Sequence, residues 1–292
     1  MSEGNSLINF GDVSKPATVL IEKISAAIGR VYEPTHIRRI AKAESDALIT
    51  KANTESQITD IRSRAIERMI HEETIRQENI EAITSQAIHQ LSPDATPQHI
   101  DNDWIAYFFE NCRHISNTEI QTLWSNILAG EANTPGTYSK RTLSLISTLD
   151  RSDAELFTSI CSFALIADLD DPHHVPLVFD FEDEIFKKSG INFYNLTHLE
   201  SIGLLKFNFQ EGFVIHTDNN QYDFFLESKK ITLTASPSAE GNIDVGTVLL
   251  TATGLQLAPI CGAQPNPQLL EYITMKYKNK NVGIEISNIQ AD

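Results

Sequence analysis

Basic charge is scarce in this chain, and its scarcity is uneven. The 292 residues hold 23 Lys and Arg against 39 Asp and Glu, a formal net charge of −16. Residues 1–91 are nearly balanced, with 11 basic against 13 acidic residues, whereas residues 92–292 carry 12 against 26, a net −14. A body this acidic repels phosphate backbones, which disfavours nucleic acid as its partner. Cysteine is also scarce: Cys112, Cys161 and Cys261 are odd in number and far apart in sequence. They fit neither a disulfide framework nor a zinc knuckle, so the sequence reads as reduced thiols in a cytoplasmic chain. No apolar run approaches the 18 or more residues of a membrane span, and the start, MSEGNSLINF, has no basic, apolar leader pattern.

Reactive motifs are missing too. There is no G-x-S-x-G elbow, no glycine loop of phosphate-cradling spacing, and no cysteine in a local His-bearing motif. These absences predict no enzyme and no cofactor. Two acidic stretches need a closer look. DLDDPHHVP (168–176) gathers Asp168, Asp170, His173 and His174, side chains able to ligate a metal, but at a spacing that matches no zinc or calcium loop. A solvated turn is the expectation, with a metal-dependent enzyme as an alternative reading. DFEDEIFKK (180–188) has the composition of a nuclease carboxylate-and-lysine cluster but not its spacing, and Glu184 with Lys187 reads as an i, i+3 surface pair.

What is present is helix, organised in four segments. Residues 1–34 hold an amphipathic helix: Ser14 caps it, Pro16 lies in its first turn, and Leu20, Ile24 and Ile28 share a face. That face is expected to dock on the body or on a second copy; the alternative is a membrane-acting effector that lays it on a bilayer. Residues 35–91 run without Pro or Gly and form a long polar helical arm, about 80 Å if continuous. Its apolar residues are sparse. Ile37 and Leu48 stand eleven apart, as do Ile58, Met69 and Ile80, with Ile61 beside that stripe. An eleven-residue period suits a straight or right-handed assembly better than a left-handed coiled coil. A helix so polar needs partner helices, so a homo-oligomer through residues 13–91 is expected, with Leu20, Ile24, Ile28, Leu48, Ile58, Ile61, Met69 and Ile80 as contacts.

Residues 92–150 form a helical middle domain. Asp101 or Asp103 caps a helix bearing Trp104, Tyr107 and Phe108; Ser116 with Glu119 is a capping box for the next; Ser139 opens a short third helix. Residues 151–292 read as a winged-helix-like α+β domain. The predicted elements are a helix over 153–167 opened by a Ser152–Glu155 capping box, a strand over 177–181, helices near 182–189 and 193–203, and a hairpin of LLKFNF and FVIHT around Gln210-Glu211-Gly212. Further strands are expected at 231–235, 247–250 and 283–286. The fold class predicted is mainly α with a smaller α+β part. The helix over 193–203 has no Arg or Lys, so the module is expected to contact an unidentified protein rather than DNA.

LWSNILAGEANTPGTYSKRTLSLISTLDRSDAELF (123–157), with YEPTHIRRIAKAE, ERMIHEETIRQENIEAIT and DWIAYFFENCRHISN, resembles a bacterial family known only as a domain of unknown function, over nearly the whole chain. The middle block and the element of Leu250, Thr251, Gly254, Leu257 and Pro259 are also similar to abortive-infection alpha proteins. The resemblance implies a bacterial cytosolic protein acting in defence against phage through assembly or contact, and it brings no catalytic residues.

Overall fold

The computed structural model describes residues 14–29, 58–169 and 172–289. They form a mixed α+β protein in two compact units, Met1–Ser147 and Thr148–Asp292. Among the described residues, helices alone build the first; helices and antiparallel strands build the second.

In the first unit, α1 (Lys15–Ile28) starts as its sequence dictates, with Ser14 Oγ accepting from Ala17 N at 3.4 Å and Pro16 in the first turn. The helix α2 (Ile58–Ile88) follows, then a 3-10 turn (Pro97–His99), α3 (Asn102–Cys112), α4 (Thr118–Asn133) and α5 (Lys140–Ser147). Asp101 caps α3 by accepting from Asp103 N and Trp104 N. The first turn of α4 is held by Asn117 instead of Ser116: its Oδ1 accepts from Ile120 N at 3.1 Å. That helix starts at Thr118, which leaves Ser116 one residue too far out to reach the first-turn amides. Aromatic packing makes the core. Phe108 stacks on Trp104 and meets Trp124 edge-on, with centroids 5.2 Å apart in both pairs.

The arm predicted over 35–91 is described from Ile58 onward; residues 35–57, and with them Ile37 and Leu48, lie outside the described residues. The C-terminal half of α2 packs along α4 through a partly polar seam. Asn79 donates to Arg113 O at 3.0 Å and accepts from Gln121 Nε2 at 3.1 Å, while Gln86 Oε1 accepts from Thr122 and Ser125. All but the exposed Thr122 are buried or half-buried, and each bond to a buried group satisfies one that would otherwise cost about 1–3 kcal/mol.

The turn between α4 and α5 closes on a buried carboxylate. Glu131 accepts from Gly136 N at 2.7 Å on one oxygen and from Tyr138 N at 2.9 Å on the other. Burial pushes its pKa up, and the backbone donors pull it back. Glu131→Gln turns one acceptor into a donor that faces an N–H. A loss of about 1–3 kcal/mol is expected, read as a lower urea midpoint at an unchanged slope.

The second unit opens with α6 (Arg151–Cys161). Its cap residue is Asp150, and the helix ends well before the predicted 167 because residues Ala164–Ile166 form β1. A short buried apolar run has no periodicity that separates helix from strand. Next come β2 (His174–Pro176), α7 (Glu184–Lys187), α8 (Phe193–Ser201), β3 (Leu205–Phe207) and β4 (Phe213–His216). They are followed by β5 (Gln221–Leu226), β6 (Lys229–Thr234), β7 (Asn242–Gly246), β8 (Val248–Leu250), α9 (Ala252–Leu257), α10 (Leu269–Asn279) and β9 (Gly283–Asn288). Strand 177–181 is not formed: β2 ends at Pro176, and Val178 O is taken by Thr247 N and Oγ1 at 2.7 and 2.9 Å.

The predicted β3–β4 hairpin is also absent. β3 pairs with β8 and β4 pairs with β7, all antiparallel, so β3 and β4 follow one another along one side of a ladder. A separate antiparallel sheet has the order β2-β1-β5-β6-β9. Turn chemistry at 210–212 marks a loop, but long-range pairing decides which strand each side meets.

Candidate interaction surfaces

Along α2, burial changes halfway. Ile80, Ile83, Ala87 and Ile88 are buried in the first unit, while Ile61 and Met69 are 69% and 64% exposed. Ile66 and Ile70 are half-buried, and the Ile58 side chain lies outside the described residues. The expected stripe is therefore split: Ile80 serves the chain's own core, and Ile61 and Met69 face outward. The outward part carries ion pairs at helical spacing, Arg64–Asp60 at 3.2 Å and Arg68–Glu72 at 3.5 Å. Such pairs add a few tenths of a kcal/mol each to an exposed helix, which favours helix without filling the missing apolar contacts.

The face of α1 is occupied. Ala17, Leu20 and Ile24 are buried, Ile28 is half-buried, and the helix packs on α3 and the 3-10 turn. Lys23 Nζ donates to Asn102 Oδ1 at 2.8 Å across the same contact. Exposing Leu20 and Ile24 to a bilayer or a second copy first requires undocking, at about 1.5–3 kcal/mol per side chain. Among the described residues, no helix is long and apolar enough to cross a membrane.

Of the candidate metal-ligating residues, Asp168 and His173 are exposed and Asp170 lies outside the described residues. His174 begins β2 half-buried, its Nδ1 unpaired, and burial, aided by His173, lowers its pKa. No group of three metal-ligating side chains occurs among the described residues. The DFEDEIFKK stretch is tied up structurally. Lys187 pairs with Glu182 at 2.9 Å and not with Glu184, and Asp183 accepts from Tyr272 Oη at 2.8 Å and Lys276 Nζ at 2.7 Å. A four-residue helix gives Lys187 a loop neighbour as near as its i−3 residue.

One surface went unread in the sequence. Phe181, Phe193, Tyr194, Phe207 and Phe209 form a chain of ring contacts with centroids 5.5–6.0 Å apart. Tyr194 is 82% exposed and Phe209 52%. Rings this close pack edge to face or tilted against one another, so the cluster presents a continuous aromatic surface. Exposed Asp180, Glu182, Glu200 and Glu211 surround it, against Lys206. The three short segments FDF, NFY and FNF, at 179–181, 192–194 and 207–209, were the available signal. Clustered aromatics in a charged rim have the make-up of protein-contact hot spots.

Residues 63–274 match the family model described as Protein of unknown function (DUF2806). The chain belongs to this family. Neither a curated protein nor a solved structure matches it. The DUF2806 span begins inside α2 and ends inside α10, so it takes in the outward part of α2 from residue 63 and the whole aromatic cluster, and leaves α1 outside.

Proposed function

We propose that this DUF2806 protein is a homo-oligomeric, non-enzymatic bacterial protein of the cytoplasm that works by assembly and protein contacts in abortive-infection-type antiphage defence. The observation that carries the reading is the outward half of α2, a polar helix with Ile61 and Met69 exposed on it. A second copy laid against this half would bury both side chains, and the near neutrality of residues 1–91 resists that approach less than the acidic body would. The resemblance of the middle block and the 250–259 element to abortive-infection alpha proteins supports the defence role.

The second unit is read as a winged-helix-like module used for protein contact. The order α6, β2, α7, α8, β3 and β8 supports this, with the wing between β3 and β8 enlarged by β4 to β7. On α8, Asn195 is bound to Gly190 O and His198 to Asp153 at 2.8 Å, so two of its polar side chains are engaged within the unit. With no Arg or Lys on that helix, the neighbouring aromatic cluster is the better contact surface.

Sedimentation velocity on the intact chain and on the double variant Ile61→Asp/Met69→Asp tests the assembly. An oligomer that falls to monomer in the variant, with its circular dichroism unchanged, is expected; two monomers at micromolar concentration would refute it. The same pair in a plaque assay tests the defence role separately. Protection that survives loss of the oligomer would remove assembly from the mechanism.

A further inference from the structure

Cys161 and Cys261, a hundred residues apart in sequence, meet in the second unit. Cys161 is the last residue of α6, and Thr158, one turn earlier on the same face, donates its hydroxyl to Cys261 O at 3.0 Å. Asn266 N donates to Ser162 O at 2.8 Å, so the chain after Cys261 stays on the end of the helix. Within this clamp the two side chains lie close enough that each thiol shifts the other's pKa more than any other neighbour does. Cys161 is buried; Cys261 is half-buried, and its thiol donates to Ala258 O at 3.1 Å. Both thiols are free.

We propose that Cys161 and Cys261 form a peroxide-responsive dithiol, with Cys261 as the attacking thiol and Cys161 as the resolving one. The partly exposed position of Cys261 admits a small hydroperoxide, and the buried position of Cys161 restricts it to the second step. In the first step the Cys261 thiolate sulfur attacks one peroxide oxygen. The O–O bond breaks, hydroxide leaves and takes up a proton as water, and Cys261 becomes a sulfenic acid. The Cys161 sulfur then attacks the Cys261 sulfur. The S–O bond breaks, and the departing hydroxide leaves as water with the Cys161 proton. Two thiols lose two electrons to one hydrogen peroxide, giving one disulfide and two waters.

The electrostatics assign the same roles. The neighbouring Cys161 thiol, with help from the Ala263 N–H, outweighs burial and holds the Cys261 pKa below the usual thiol range. The neighbouring Cys261 and burial hold Cys161 well above the usual thiol range. Cys112, buried in the first unit, is likewise raised by desolvation and serves as an internal reference. A disulfide here would fasten the end of α6 to the segment after the Ala258–Ile260 turn, adding a covalent tie where hydrogen bonds now hold.

The test uses the intact, reduced chain exposed to hydrogen peroxide at micromolar concentration. Peptide mapping without reductant should show the peptides of Cys161 and Cys261 joined, with the mass of two hydrogens lost, Cys112 still a thiol, and full reversal by dithiothreitol. Before oxidation, iodoacetamide at pH 7 should label Cys261 at least about tenfold faster than Cys112. In Cys161→Ser, dimedone should trap a sulfenic acid at Cys261. The proposal is overturned by Cys261 advancing to sulfinic acid beside a free Cys161, or by both thiols surviving peroxide that oxidises free cysteine. It is equally overturned by Cys112 reacting first. None of these readouts depends on oligomeric state, so the assembly reading stands or falls apart from this one.

Discussion

Phe108→Ala is expected to remove about 3–5 kcal/mol from the first unit, the largest single-site loss foreseen in it. Phe108 is fully buried, and its ring is shared by Trp104, Phe109 and Trp124 at centroid distances of 5.0–5.2 Å. The neighbours cannot close the gap cheaply. Trp104 is pinned by its indole N–H, which donates to Tyr138 O at 2.6 Å, and Trp124 sits on the helix that α2 packs against. The cavity therefore persists, and its volume adds to the lost transfer energy. Against a net stability of about 5–15 kcal/mol for a domain, that is a large fraction. A denaturant midpoint within experimental error of the unmodified chain would contradict the core described here. Since α2 rests on this unit, the variant should also weaken assembly, though less selectively than Ile61→Asp/Met69→Asp.

Gly254→Ala is the second large effect, and here two terms oppose. Helix propensity favours alanine by about 1 kcal/mol. A methyl at Gly254, however, would fall well inside the contact distance of the Leu204 carbonyl oxygen and press on Leu250 Cβ. That carbonyl cannot move freely, because it accepts from Thr251 N at 3.1 Å and Thr251 Oγ1 at 3.2 Å, and Thr251 itself caps α9 through Gly254 N. Overpacking and the strained cap together outweigh the propensity gain, for a net loss on the order of 3 kcal/mol. Thermal unfolding of the variant checks this, and a melting temperature equal to or above that of the parent would show that the helix approaches β3 less closely. The element of Leu250, Thr251, Gly254, Leu257 and Pro259 thus has a structural reason: it seats α9 on the strand pair.

Several features were legible because their causes are local. Ser14 caps as read, and of the two candidates Asp101 and Asp103 it is Asp101 that caps α3, since a capping oxygen needs only the amides two or three residues on. On α4, helical spacing puts Ile120, Leu123, Trp124, Ile127 and Leu128 on one face; the last three are buried, Leu123 is half-buried, and Ile120, near the start of the helix, is 45% exposed. β5 was missed because its turn to β6, Glu227-Ser228, has none of the Asn or Gly that marks a two-residue hairpin; Glu227 takes the positive φ of 53° itself.

By itself the sequence determined the helical character of the first unit, the mixed character of the second, the acidic body and the thin apolar stripe of α2. All of these follow from composition and from periods of a few residues. Tertiary structure alone decided that Ile80 turns inward while Ile61 and Met69 face out, that β3 meets β8, that five aromatic rings from three segments gather on one surface, and that Cys261 comes to the end of α6 beside Cys161. Each of these is a contact between residues far apart along the chain. No local propensity encodes such a pairing; it is selected by the burial of the whole unit.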